Sequence, residues 1–249
     1  MLANADKWDV KQGAHWGGIH KWHFGDYAVV ASKQGWTQTS TDTNFFQTKT
    51  SSRTRKKFTF VLSNQTNDSA FVNAAHEIAS QSNPGLDLGH GLSVGGDGRT
   101  VEGDRFVASI MVNGDTTRWE LSIAETDVTD RQGDSIHGEA THAASLASGQ
   151  RRIVLNPVYS KKFDKPPTFL SQLSMSVRPP AMGYEFVEEG RPLCAVEYFS
   201  TALAGPLKNT VWMSRGADPR MQLVLAAAIA AVLELKSEAN EAPAENDRE

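Results

Sequence analysis

One cysteine in 249 residues excludes an internal disulfide and any zinc site built mainly from thiolates. That residue, Cys194, lies in Pro192-Leu193-Cys194-Ala195-Val196-Glu197-Tyr198-Phe199, a strand pattern that reads as a buried packing thiol rather than a nucleophile. Net charge is small too, at -4. The segment Ser237 to Glu249 carries all of it, with Glu238, Glu241, Glu245, Asp247 and Glu249 against Arg248. The body up to Lys236 is therefore neutral, which argues against nucleic acid as a partner, and residues 237–249 read as an acidic disordered tail. The first six residues, Met1-Leu2-Ala3-Asn4-Ala5-Asp6, lack the charged and apolar regions of a secretory leader. A cytoplasmic location is the default expectation, with periplasm or cell envelope the alternative if a leader has been removed. No loop rich in Pro and Ser divides the chain, so residues 1–236 read as one domain.

Hydrophobic runs long enough to cross a bilayer are also missing. The longest helical candidate, Met221 to Leu235, is about 22 Å long at 1.5 Å per residue, against a hydrocarbon core of about 30 Å. Its composition is nonetheless the most informative in the chain. Leu223 to Leu233 holds only Ala, Leu, Val and Ile, and Asp218-Pro219 supplies an N-cap and a preorganised first position. A helix apolar on every side must be buried in protein if it is not in lipid. Its five Ala residues let a wall of side chains approach closely from all directions.

Everything else reads as strands. Ile19 to Phe24 and Tyr27 to Ser32 flank Gly25-Asp26, Phe106 to Val112 and Thr117 to Ala124 flank Asn113-Gly114-Asp115-Thr116, and Tyr184 to Val187 and Leu193 to Phe199 flank Glu188-Glu189-Gly190. These are hairpin signals with turn residues that accept positive φ. Arg55 to Ser63, Ala70 to Ile78, Arg152 to Pro157, Phe169 to Met175 and Thr210 to Met213 add further strands, and Phe71 to Ser80 and Glu139 to Ala147 are open to either a strand or a helix. So many strands are best protected by closure, and a barrel of about twelve is too wide for its own side chains to fill. The predicted fold is thus mainly β, a single closed antiparallel barrel of about twelve strands threaded by the hydrophobic C-terminal helix at 219–236.

The hairpin Tyr184-Glu185-Phe186-Val187 to Cys194-Ala195-Val196-Glu197-Tyr198, the strand Thr210-Val211-Trp212-Met213 and the run from Asp218-Pro219 to Leu235 together resemble the C-terminal part of the tubby-like fold, shared by tubby proteins, phospholipid scramblases and LURP-one-related proteins. The resemblance covers the last quarter of the chain and is architectural. It implies a barrel around a central helix and a membrane-peripheral binding role. No matching phosphoinositide-binding motif and no palmitoylatable Cys cluster accompany it.

For chemistry, the densest basic run is Arg53-Thr54-Arg55-Lys56-Lys57. Alternate strand residues share a face, so Arg53, Arg55 and Lys57 can present three cations to an anionic lipid headgroup. Lys161, Lys162 and Lys165 with Arg151 and Arg152 form a second basic region, and the predicted headgroup site comprises Arg53, Arg55, Lys56, Lys57, Lys161 and Lys162. The expected function is a non-enzymatic binding module for an anionic phospholipid or membrane surface, with no cofactor and no metal. One alternative is a structural or protein-interaction module of the cell envelope, whose protein partner meets the N-terminal aromatics Trp8, Trp16, Trp22 and Trp36. A second is a serine hydrolase using Ser93 in Gly91-Leu92-Ser93-Val94-Gly95, with Asp127, Asp130 or Asp134 and then His137 or His142. The Gly-rich residues that follow Ser93 oppose the helix which that motif requires. Asp97, Glu102 and Asp104 match no calcium-loop spacing, and His20 and His23 fall on opposite faces of a strand.

Overall fold

The structure is a computed structural model and describes residues 4–13, 19–44, 49–83, 86–87, 93–94, 98–130, 141–158, 182–198 and 209–241. The wall is built of β1 (Ala5–Asp9), β2 (Lys11–Gly13), β3 (Lys21–Phe24), β4 (Tyr27–Gln34), β5 (Gln38–Thr43), β6 (Thr50–Ser63), β7 (Ser69–Ser82), β10 (Thr100–Val112), β11 (Arg118–Thr129), β12 (Thr141–Ser148), β13 (Arg151–Val158), β14 (Gly183–Glu188), β15 (Arg191–Glu197) and β16 (Thr210–Ser214). Between β7 and β10, β8 (Leu86–Asp87) and β9 (Ser93–Val94) form a separate two-stranded ladder. The helix α1 covers Pro219–Glu241.

Strand order is β1-β16-β15-β14-β13-β12-β11-β10-β7-β6-β4-β3-β2, every neighbour antiparallel. The two ends of this path, β1 and β2, are separated in sequence only by Val10, so the chain itself joins the edges into a nearly closed barrel. Val10 also donates its backbone N–H to the Asn209 carbonyl at 2.9 Å. Trp8 of β1 packs over the β3–β4 turn, edge-on to Tyr27 with centroids 6.0 Å apart. Gly25 at that turn has φ +54°, and a Cβ there would lie 2.6 Å from the Trp8 ring. Only glycine suits both the turn and the close approach.

Alternation decides what fills the barrel. On β10, Phe106, Ala108, Ile110 and Val112 are buried, while Arg105, Val107, Ser109 and Met111 between them face outward. The inward rows meet α1, whose residues from Leu223 to Leu235 are all buried, many of them completely. Asp218 caps the helix as the sequence predicts, accepting the Met221 N–H on Oδ1 at 3.0 Å. The helix runs to Glu241, five residues beyond the predicted end at 236.

All three predicted hairpins form, with Gly25, Gly114, Glu189 and Gly190 at positive φ. Both segments left open between strand and helix are strands where described, β7 and β12, because their small residues alternate in and out of the wall. Strands β1, β2 and β5 had no sequence signal, and Phe169 to Met175 lies outside the described residues. No helix among the described residues is long and apolar enough to cross a membrane.

Candidate anion-binding face

Strands β6, β7, β10 and β11 are consecutive neighbours and long, so their outward residues form a broad surface. Register places Arg55 opposite Glu77, and Glu77 opposite Arg105. Two residues further along, on the same face, Lys57 stands opposite Ala75 and Ala75 opposite Val107. Arg53 donates through Nη2 to both Glu77 carboxylate oxygens at 2.7 Å. Together with Arg118, these side chains surround a shallow, open depression of about 510 Å³ whose floor includes Ala75, Val107, Asn73 and Ser109. Five cations therefore line it against the single carboxylate of Glu77.

The small floor matters as much as the charge. Ala75 and Val107 leave room above the sheet, so an anion can approach between the cationic side chains rather than only touch their tips. Adjacent to the depression, Val61, Phe71 and Met111 form one outward cross-strand row, with Phe71 42% and Met111 43% exposed. The face therefore combines cations with accessible apolar surface.

The predicted site is divided by the alternation of β6. Arg53, Arg55 and Lys57 share the outer face, as expected, but Lys56 has the opposite parity and stands across from His76, whose side chain is buried. Lys56, half-buried, therefore lies on the inward parity of the strand and does not line the depression. Lys161 and Lys162 lie outside the described residues. Arg151 of the second basic region pairs with both Glu188 oxygens, through Nε at 2.9 Å and Nη2 at 2.8 Å, and stacks over Trp119. Arg105 and Arg118 were missed. Their signal was their alternation with Phe106 and Trp119, which turns both outward next to a basic strand that sequence alone does not identify as their neighbour.

The chain matches no family model, no curated protein and no solved structure.

Inside the wall, a polar network surrounds the last turns of α1. His76 Nε2 lies 2.7 Å from Asp104 Oδ1, His142 Nε2 lies 2.9 Å from the Tyr184 hydroxyl, and that hydroxyl donates to Glu125 Oε1 at 3.3 Å. Lys236 Nζ is 3.7 Å from the same Glu125 oxygen. Burial, with Tyr198 and Glu125 nearby, pushes the Tyr184 phenol far up and keeps it protonated as a donor. Deeper in the barrel, Glu234 of α1 is only 2% exposed. Its Oε2 accepts the His20 backbone N–H at 3.1 Å and the Trp22 indole N–H at 3.0 Å, and His20 Nδ1 lies 3.1 Å away. Trp22, one of the N-terminal aromatics expected to meet a partner, thus anchors the helix to the wall together with His20.

Ser93 belongs to β9, and the next element among the described residues is the strand β10, so no strand-to-helix turn of a nucleophile elbow is formed among them. Asp134 and His137 lie outside the described residues, while His142 is engaged with Tyr184. Among the described residues no group of three or more His, Cys, Asp or Glu side chains is placed to hold a metal ion.

Proposed function

We propose that this protein is a non-enzymatic, membrane-peripheral barrel that binds anionic lipid headgroups through the outer face of β6, β7, β10 and β11. The observation that carries the reading is the depression with five cations, one carboxylate and a small-residue floor, bordered by the exposed Phe71 and Met111. The resemblance of the last quarter of the chain to the tubby-like fold points the same way. Each Lys or Arg near an anionic leaflet contributes about 1 kcal/mol. An excess of about four cations therefore gives roughly 4 kcal/mol, or near a thousandfold in partitioning. Because the whole chain is net -4, attraction comes from contact with this face and not from a long-range field of the entire molecule.

Vesicle sedimentation tests the proposal. The protein should pellet with vesicles of mixed phosphatidylserine and phosphatidylcholine at about 0.02 M salt and release at about 0.5 M, where the Debye length has shrunk to a few ångströms. It should stay in solution with pure phosphatidylcholine. Equal pelleting with charged and neutral vesicles contradicts the proposal.

A further inference from the structure

Trp36 is 93% exposed, the most exposed large apolar side chain among the described residues. Its position in the wall is unusual. Strands β4 and β5 pair in succession with β6, so that together they act as one long neighbour, with Gln34 opposite Phe58 and Gln38 opposite Arg55. Gly35 donates its N–H to the Lys57 carbonyl at 2.7 Å. Between the Lys57 and Arg55 positions an unbroken ladder has space for one residue, yet the chain places two there, Trp36 and Thr37. The extra residue makes a bulge, a device that re-aims a side chain out of its strand pattern.

From this we infer that Trp36 is a membrane-inserting anchor that enters the interface between headgroups and acyl chains while the neighbouring cations hold the headgroups. The inference rests on the membrane-binding role proposed above. Three features commit it to a lipid occupant. An indole has an apolar body and a single N–H donor, which suits the bilayer interface. Along the strand pair it falls between the Gly35 position, opposite Lys57, and the Gln38 position, opposite Arg55, and both of those cations line the depression. Lys33, opposite Thr59 on the same strand pair, adds a further exposed cation three residues away. The other described tryptophans are all at least partly buried in the wall or core, so this bulge alone among them offers an indole to a surface.

Tryptophan quenching by brominated phosphatidylcholine, mixed into phosphatidylserine vesicles, separates insertion from mere attachment. Wild-type protein should show quenching and a blue-shifted emission on these vesicles. Trp36→Phe should keep most of the pelleting and lose most of the quenching, and Trp36→Ala should weaken partitioning about tenfold, the worth of one buried aromatic side chain. If wild-type protein pellets without quenching, or Trp36→Phe quenches as wild type does, insertion of Trp36 is refuted and headgroup binding stands. If the wild type fails to pellet at all, both proposals fall. If Trp36→Ala pellets normally but loses capture of a specific protein, the bulge is a protein-docking element and the inference is overturned.

Discussion

Replacing Ala228 with Asp should leave no folded protein. Ala228 sits at the middle of the central helix with no exposed surface, and the residues from Leu225 to Val232 around it have none either. A carboxylate there loses its hydration, and the wall facing it is lined with apolar side chains. Even after relaxation the penalty is several kcal/mol. The larger side chain also overpacks a close-packed site, at about 1 to 3 kcal/mol more. Against a total stability of about 5 to 15 kcal/mol for an ordinary domain, the sum is decisive. Ala228→Gly, which introduces neither charge nor bulk, should cost only about 1 kcal/mol through backbone freedom. Near-ultraviolet circular dichroism distinguishes the two. Cys194 gives a second reading, because burial raises its thiol pKa well above the usual range and hides it in the folded barrel. An aromatic disulfide reagent should react slowly with wild type and rapidly with Ala228→Asp. A folded Ala228→Asp melting within a few degrees of wild type contradicts the central-helix account.

Glu234→Ala should destabilise the barrel by about 2 to 6 kcal/mol, from two buried donors that lose their acceptor. The cause is the donors left behind. The His20 backbone N–H and the Trp22 indole N–H, both in buried residues, aim at Glu234 Oε2 and lose that acceptor with the carboxylate. A buried donor without a partner costs about 1 to 3 kcal/mol. Glu234→Gln retains a carbonyl oxygen at the same reach and should cost clearly less than the alanine change. Urea unfolding midpoints measure both. A loss below about 1 kcal/mol for Glu234→Ala would show that the pin is dispensable, since that is the worth of an ordinary hydrogen bond.

The sequence reading captured the scaffold because its signals were local or periodic. Asn113-Gly114 and Glu189-Gly190 marked turns, alternation in Phe106 to Val112 marked a wall strand, and an apolar helix without a polar face demanded an enclosure. Glu234 defeated the reading because its partners lie more than 200 residues away in the chain. Strand β5, Gln38-Thr39-Ser40-Thr41-Asp42-Thr43, is polar at every position and exposed throughout, so it has no hydrophobic period to detect. The candidate face was half visible for a related reason. Arg53, Arg55 and Lys57 share one strand, whereas Arg105 and Arg118 join them only through the registers of β7 with β10 and of β10 with β11. Lys56 was grouped with the others by proximity in sequence, and the strand period separates it.

The central claim is that the outward parity of β6 and its neighbours binds the anionic surface, and equal-charge variants test it most directly. Arg55→Gln/Lys57→Gln/Arg105→Gln removes three cations from the depression, while Lys56→Gln/Arg191→Gln/Arg220→Gln removes three from elsewhere and leaves the same net charge. On phosphatidylserine vesicles at low salt, the first should lose about two orders of magnitude in partitioning, at about 1 kcal/mol per cation, and the second should pellet nearly as wild type does. Equal loss in both would mean that net charge alone governs attachment, and would contradict a specific binding face.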